Sequence, residues 1–504
     1  MLLAAFMAVT SVGWVRADNT VYYTIGSAPG GTGTQGAPIT GTSLETLLTA
    51  VNANTTADSI VINLPDGEYT VTSGTSFLIT KPGVSIIGTD SNKVVIKSPF
   101  DIILSQKGNI SFASLQIAAT TSVGRGLVDI KSSNTTVSFR ETKLNIEGAG
   151  TADGGPTVCF GIVSQIDVDN NTVNFIDSHM YMSKGYERGL CFRDGAGHTL
   201  NMENSKINGP SGGSGYPYVI GIGAWPGATS ETKPITYNIK NSIVDVNYYA
   251  VFTNNQTNIP IIVNIDKSDI TGWSSLYVRG DGVSDASFKH LITIKESTMT
   301  GRSFMNGPSD GFGSLVFEVC PDVDLSIDTK SKIIAKHLNP QQVPAIKMDL
   351  MDIRKSKMNI DFVANGNSKC LMQAFNTAYT PIAFNKKSDS NVTINHIENV
   401  EILDGNNQSY IELYSSNGSF DNAVADVTSL LSVIEDGDKA VFPEGTFELP
   451  EILQMDKSIT IEGAGTDKTI IKGHIEVASK ENTTTTLTAN NLTLIGNNNS
   501  AKHG

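Results

Sequence analysis

The residues best suited to chemistry lie in the middle of this 504-residue chain, where arginine, carboxylate and aromatic side chains recur together. Aromatic faces stack on sugar rings, and arginine pairs with carboxylate or sulfate through two parallel hydrogen bonds. The combination predicts a groove that binds a glycan. Its candidate binding residues are Arg193, Tyr218, Trp225, Trp273, Tyr277 and Arg279. The alternative is that the aromatic residues are ordinary strand residues that fill or cover a sheet.

Some of the same residues could act in catalysis. The candidate catalytic residues are Arg193, Asp194, His198, Arg279 and Asp281. An arginine could serve as a base or charge clamp on a uronate polymer while aspartates hold calcium, which lowers the pKa of the proton beside the uronate carboxylate. His198 is the histidine placed for acid or base chemistry, and a solvated loop residue is the alternative. Calcium is the cofactor that this interpretation would need.

Dedicated metal sites are not predicted. Asp167-Val-Asp169 and Asp322-Val-Asp324 could offer oxygen ligands, but neither has the full loop pattern of a calcium site. The histidines are dispersed without metal-ligand spacing.

Composition limits the other partners. A net charge of −14 argues against a sequence-independent nucleic-acid binder or attachment to anionic lipid through basic patches. Only 17% of residues are charged while 47 are glycine, so the chain is poor in the residues that cover soluble helices. A 39% hydrophobic content is enough for a core. Disorder and coiled coil are excluded.

The elements that must position these residues come from an internal repeat. Each copy reads apolar, polar, apolar, two polar, Ser, polar, apolar, and the copies recur every 26 to 37 residues. The clearest copies are Val173–Met180, Leu200–Ile207, Tyr237–Val244, Val263–Ile270 and Ile292–Met299.

A period of two inside each copy indicates strands, and the polar-Ser step is turn chemistry. One strand pair cannot bury itself, but stacking the copies about 4.8 Å apart joins their inward residues into one core. The serines would then form a ladder at one corner. No copy contains the amphipathic helix of leucine-rich or TPR repeats, and the marks of a β-propeller are absent. The repeat therefore predicts an all-β fold, a parallel β-helix.

A longer pattern appears twice. Leu44, Leu47, Leu48 and Val51 have helical spacing, with Thr42 and Glu45 as a capping box. A Pro-x-Gly-x-aromatic turn and a Ser-Ile-x-x-Gly segment follow. The same order returns near residue 424, with Val424, Val427, Leu431 and Ile434 on a short helix, and the segments Ser85–Lys97 and Thr460–Lys472 align without a gap.

This array resembles the opening of the pectate lyase superfamily. The resemblance implies a right-handed parallel β-helix whose open end is covered by an amphipathic helix. It is specific for the fold and not for the reaction. The motif series of polygalacturonases and of pectin methylesterases are not found, whereas the dispersed residues of a pectate lyase-like enzyme leave that class open.

The expected domain organisation has four parts. Residues 1–17 form a signal peptide, because an apolar run ends in Val15-Arg16-Ala17, and residues 18–42 form a leader. Residues 43–415 form the first β-helix, and 416–504 the start of a second, incomplete one. The chain is expected to be a fragment of a longer protein or to need a partner for its last coils. No later run approaches the roughly 18 apolar residues of a membrane span.

Four scattered cysteines exclude a disulfide scaffold. Cys159 and Cys191 are expected as a buried pair on neighbouring coils, which could form a disulfide if their side chains face each other.

We therefore expect a secreted or cell-surface monomer that binds carbohydrate or a host surface without catalysis. The alternatives are a polysaccharide-degrading, pectate lyase-like enzyme and a rigid stalk.

Overall fold

The computed structural model describes residues 19–27, 30–121, 125–148, 159–182, 187–209, 219–225, 233–255, 259–280, 289–302, 313–318, 322–336, 346–350, 357–374, 382–386, 391–449, 452–478 and 484–496. Within these ranges nearly all neighbouring strands are parallel, and helices are few and short. Each coil of the chain adds one strand to each of three sheets before the next coil begins. The predicted all-β parallel β-helix is confirmed.

Sheet 1 has 14 strands in the described part of the chain. In spatial order they are Ile39–Gly41, Thr20–Ile25, Ser59–Leu64, Val84–Gly88, Gly108–Ala113, Thr135–Arg140, Thr172–Ile176, Thr199–Glu203, Ile235–Lys240, Ile261–Asp266, Lys289–Lys295, Asp322–Asp328, Lys357–Val363 and Asn391–Asn395.

Sheet 2 has 12 strands over the same described ranges. They are Gly67–Tyr69, Val94–Ile96, Gln116–Thr121, Lys143–Gly148, His179–Met182, Lys206–Asn208, Ile243–Asp245, Asp269–Gly272, Thr298–Arg302, Lys332–Lys336, Cys370–Ala374 and Val400–Asp404.

Sheet 3 has 11 strands among the described residues, and it carries the predicted site. They are Phe77–Ile79, Phe100–Ile102, Gly126–Ile130, Cys159–Ser164, Glu187–Phe192, Ile220–Ala224, Tyr249–Asn255, Ser274–Gly280, Leu315–Glu318, Ile346–Leu350 and Ile382–Lys386.

The repeat positions stack as the sequence predicted. Val173, Leu200, Tyr237, Val263 and Ile292 are successive register partners in sheet 1, and all are buried. Inside the first coils, five phenylalanines stack at centroid distances of 5.2, 4.9, 5.2 and 6.1 Å. They are Phe77, Phe100, Phe112, Phe139 and Phe175. Alternating apolar residues therefore build one continuous core.

The predicted serine ladder lies at the corner between sheets 1 and 2. Ser178 donates its backbone N–H to Ser205 Oγ at 3.0 Å, and Ser205 donates its own to Ser242 Oγ at 3.1 Å. The residue before each serine has a positive φ, for example 49° at Asn204, which asparagine tolerates well. The side chains thus satisfy backbone groups that the turn leaves unpaired.

The first helix, Leu44–Asn52, packs its predicted apolar stripe into the core, but its cap differs from the prediction. Ser43 is the N-cap, and it forms the capping box with Thr46 rather than Thr42 with Glu45. The Glu45 carboxylate instead accepts hydrogen bonds from Thr72 and Ser73. It therefore ties the helix to the segment after sheet 2's first strand.

The solenoid begins earlier than residue 43. Strands Thr20–Ile25 and Ile39–Gly41, within the expected leader, extend sheet 1 beyond strand Ser59–Leu64. The alternation in Thr20–Ile25 follows the strand period, and Tyr23 faces the core at 3% exposure.

A second set of sheets contains strands on both sides of a short helix in the chain, Val427–Val433, which is capped by Asp426. One sheet contains Phe420–Val424, Ile411–Tyr414, Lys439–Phe442, Ile459–Gly463 and Leu487–Asn490; the second contains Gly445–Glu448, Thr469–Lys472 and Thr493–Ile495; the third contains Leu453–Met455 and Ile475–Val477. Val424 ends a strand rather than lying on the helix, and strand Ile411–Tyr414 pairs with this set although the prediction placed it before residue 415. A single turn of 3₁₀ helix spans Ile397–Asn399.

Cys159 and Cys191 do not lie opposite each other. Cys191 pairs with Val163 and Gly223, whereas Cys159 pairs with Glu187, four positions away along the strand. Cys191 is buried as a free thiol, so the suggested disulfide with Cys159 is wrong.

Within the described residues, no helix has the length and apolar character required to cross a membrane.

Candidate functional site on the outer face of sheet 3

The predicted face is the outer surface of sheet 3, where one residue per coil follows the same column. Arg193 and Trp225 follow the paired residues Phe192 and Ala224, and Asn254 and Arg279 are register partners two and three strands further on. At about 4.8 Å per strand, Arg193 and Arg279 lie roughly 14 Å apart along the stack. The order of coils is the one that the sequence predicted.

A charged network occupies the start of this face. Arg125 donates its Nε–H to Asp129 at 2.6 Å and also bonds to Asp101, the partner of Asp129 on the preceding strand. Lys131 Nζ lies 3.0 Å from Asp101. The Asp129 carboxylate is fully buried, and burial raises its pKa even though Gly126 N–H, Arg125 and Lys131 oppose the shift. Two cations therefore neutralise two adjacent carboxylates.

The network reaches Arg193 through one amide. Gln165 donates from Nε2 to Asp129 at 3.0 Å and accepts from Arg193 Nη1 at 2.9 Å. The Arg193 guanidinium also lies 5.6 Å from the Phe160 ring centroid. Among the described residues, it forms no ion pair with a carboxylate. Arg193 is half-buried, so several of its N–H donors remain for a ligand.

The aromatic residues form a packed cluster rather than a row of open rings. Trp273 and Tyr277 are only 8% and 3% exposed, and they pack with Tyr249 and Phe252. Tyr277 also donates its hydroxyl to the Glu318 carboxylate. These two rings face other side chains, so the alternative that they cover the sheet describes their geometry better than stacking on a sugar.

Trp225 joins the aromatic cluster to the charged half of the face. It is half-buried, with the Arg188 guanidinium 3.8 Å from its ring centroid and the Phe252 ring at 5.1 Å. Gly223 beneath it leaves room for the indole, because a Cβ there would lie 2.7 Å from a ring carbon. Trp225 is thus the predicted aromatic residue that still reaches the surface beside Arg193.

The remaining candidates are placed as follows. His198 is buried, stacks on Phe192 at 4.7 Å, and uses both ring nitrogens: Nδ1 accepts from Asn171 N–H and Nε2 donates to the Asp194 carbonyl. Burial lowers its pKa. This geometry is that of a structural histidine, and not of the solvated loop residue that the sequence suggested.

Asp194 accepts from its neighbour Gly195 N–H. Tyr218 and Asp281 lie outside the described residues.

Calcium does not fit the acidic residues that the structure describes on this face. Over the described residues, no group of three or more His, Cys, Asp or Glu side chains could hold a metal ion. Asp101 and Asp129 come nearest, but Arg125 bonds to both, and Ca²⁺ requires six to eight oxygen ligands. Asp324 pairs with Lys289 and Asp322 accepts Lys357 N–H, so neither is set aside for metal.

Sequence reasoning missed the charged network. The residues of this network lie in coils where the repeat is weaker, so the repeat does not single them out. They are Asp101, Arg125, Asp129 and Lys131. The available signal was the spacing of Asp101 and Asp129, which occupy equivalent outward positions on consecutive coils.

No protein-family model matches this chain, and no curated protein matches it. Among solved structures it is similar to the PL6 family alginate lyase AlyGC, at 12% identity over 86% of this chain and 69% of that one, with a TM-score of 0.27. The A-module of the Azotobacter vinelandii mannuronan C-5 epimerase AlgE6 gives 11% identity, 70% and 94% coverage and a TM-score of 0.36.

A third similar structure is the catalytic domain of a GH87 alpha-1,3-glucanase, at 11% identity, 90% and 66% coverage and a TM-score of 0.30. The class of protein is defined by the three parallel sheets themselves. They form the pectate lyase-like parallel β-helix that the two helix-and-turn openings of the sequence implied.

Proposed function

We propose that this protein binds an extended acidic polysaccharide along the outer face of sheet 3 without cleaving it. The supporting observation is a column of polar and aromatic residues, one per coil, in which Arg193 keeps donors for a ligand. Its members are Lys131, Gln165, Arg193, Trp225, Asn254 and Arg279.

The spacing of this column suits a polymer. Successive positions are about 4.8 Å apart, so the column presents hydrogen-bonding groups at regular intervals along the stack. A ligand that lies parallel to the stack can contact several coils at once. A linear chain of sugar rings meets that requirement.

Arg193 is the residue that selects an acidic ligand. The one hydrogen bond of its side chain among the described residues is to the neutral Gln165 amide. The guanidinium fork matches a carboxylate. The Asp101 and Asp129 carboxylates are already paired with Arg125, which limits their repulsion of an anionic chain.

The proposal includes export and action as a monomer outside the cell. Its support is the apolar run that ends in Val15-Arg16-Ala17. Expression in a secreting host should yield protein in the medium whose first residue is Asp18. Retention inside the cell with an intact first segment would contradict export. Light scattering should give the mass of one chain.

Binding is tested by isothermal titration calorimetry with oligogalacturonate and oligoalginate. Arg193→Ala should weaken binding about tenfold or more, because a hydrogen bond to a charged group contributes about 1.5–3 kcal/mol. Arg193→Lys should retain part of the affinity. Arg302→Ala, on sheet 2, is the matched control and should bind as the wild type does.

The competing lyase function has its own readout. Incubation of the same polymers with protein and calcium should produce no rise in ultraviolet absorbance from new unsaturated ends. A rise that Arg193→Ala or Arg279→Ala abolishes would replace binding by cleavage as the function of this face.

A further inference from the structure

A groove of about 530 Å³ lies on the outer face of sheet 1, away from the face just described. Its size falls within the range of about 300–1,000 Å³ of small-molecule sites. Tyr22 stands at one end, Arg140 at the other, and serine hydroxyls line its length.

Small residues on consecutive coils create the groove. Ser85, Ser111 and Ser138 are successive register partners in one column, and Ala113 lies beside Ser111 in the next outward column. Along the first column, Tyr22 precedes Val61, which pairs with Ser85. The column therefore begins with the larger side chains of Tyr22 and Val61. Beyond them, small serine side chains cover the sheet.

The far end closes where asparagines replace serines. Asn174 follows Ser138 in the column and donates to its Oγ at 2.9 Å, and Asn201 donates to Asn174 at 2.8 Å. The amides bond to one another along the stack, and so they fill the column beyond Ser138. From Tyr22 to Ser138 the column spans four strand steps, or about 19 Å.

The lining has the chemistry of a sugar site. Ser85 and Ser111 share one hydrogen bond of 2.8 Å, which leaves further acceptor positions on both oxygens and one donor for a ligand. Tyr22 offers an aromatic surface at the end of the groove, and Val61 and Ile87 give an apolar floor. Hydroxyls over an apolar floor match the alternating polar and apolar surfaces of a sugar ring.

Arg140 supplies the charge. It is the one charged side chain among the described lining residues, and its Nη1 lies 3.9 Å from Asp177 with 37% of the side chain exposed. That distance is longer than a charge-assisted hydrogen bond of about 2.7–2.9 Å, so the guanidinium keeps its donors for another anion.

We propose that this groove is a second glycan site, which binds a short stretch of carboxylated sugar with Arg140 on the carboxylate and Tyr22 against a ring. It is independent of the sheet 3 site, because the two lie on different sheets and share no residue. The protein would then hold an acidic polysaccharide at two places, or two chains at once.

Calorimetry with galacturonate trisaccharide in the Arg193→Ala protein isolates the groove. We expect residual binding that falls about tenfold or more when Arg140→Gln is added, and that is also lost with Ser111→Leu, which fills the groove. Lys240→Gln and Ser326→Leu are matched controls in the same outward columns, far from the groove, and should leave binding unchanged. Circular dichroism checks that each variant is folded.

The methyl-esterified trisaccharide should bind about tenfold less tightly than the free acid, because it has no carboxylate for Arg140. The proposal is overturned if the Arg193→Ala protein does not bind, if Ser111→Leu has no effect, or if acid and ester bind equally. If the Arg193→Ala protein loses all binding, the groove proposal is contradicted and the sheet 3 site is supported. Binding that depends on Ser111 and Arg140 but not on Arg193 would contradict that site instead.

Discussion

Replacing Asp129 by alanine tests whether the charged network supports the sheet 3 face. The carboxylate is fully buried and accepts hydrogen bonds from Gly126 N–H at 2.7 Å, Gln165 Nε2 at 3.0 Å and Arg125 Nε at 2.6 Å. Alanine removes all three contacts. It leaves the Gly126 N–H buried without this acceptor and takes from Arg125 one of its two carboxylates.

The magnitude follows from burial. Removing one partner of a buried ion pair costs about 3–5 kcal/mol. Because Arg125 is 30% exposed, Asp129→Ala should lower the free energy of unfolding by about 3 kcal/mol, the lower end of that range. Asp324→Ala is the matched control. Its pair with Lys289 is 2.9 Å long but 39% and 47% exposed, so its loss should cost about 0–1 kcal/mol.

Urea unfolding followed by circular dichroism gives both free energies by linear extrapolation. Asp129→Asn should fall between wild type and alanine, because its oxygen still accepts from Gly126 while its NH₂ group faces Arg125. Equal losses for Asp129→Ala and Asp324→Ala would refute the reasoning, since the Asp129 carboxylate would then behave as a solvated group.

Three further predictions concern the corner, the cap and the buried thiol. Ser205→Ala should lower the free energy of unfolding by about 1–3 kcal/mol, because the buried Ser178 N–H loses its acceptor, whereas the exposed Lys206→Ala should change it little. Hydrogen bonds from Ser73 and Thr72 lower the pKa of Glu45 from 4.5 to about 2. The Tm of the wild type should therefore exceed that of Glu45→Gln by its full amount above pH 4.5, and the difference should vanish as the pH falls toward 2. A Tm difference that stays constant with pH would contradict this contact. Burial raises the pKa of Cys191 to about 12, so mass-spectrometric mapping should find it unalkylated in the folded protein at pH 8 and alkylated after denaturation.

The fold could be predicted because each coil repeats one rule. Apolar residues at alternate positions define the inward face of sheets 1 and 2, and the serine after each turn marks the corner, as at Ser205 and Ser242. The two early strands are harder to predict, because the amphipathic helix at Leu44 gives the stronger signal for the start of the solenoid. The alternation of Thr20–Ile25 was available.

The candidate site could be predicted only in part. The column from Arg193 to Arg279 follows from counting coils, because register in a stack is fixed by the repeat. The burial of side chains on the outer face of sheet 3 does not follow from the coil count. Trp273 and Tyr277 have the sequence signature of surface aromatics, but side chains of neighbouring strands enclose them. The pairing of Arg125 with two aspartates depends on three-dimensional contacts in coils where the repeat is weaker.

The most direct test of the proposed function is the dissociation constant of an acidic oligosaccharide for the wild-type and Arg193→Ala proteins, with Arg302→Ala as control. We predict that oligogalacturonate or oligoalginate binds the wild type and the control alike, and binds Arg193→Ala about tenfold or more weakly. Equal affinity for all three proteins, with each shown to be folded, would contradict a glycan site on the outer face of sheet 3.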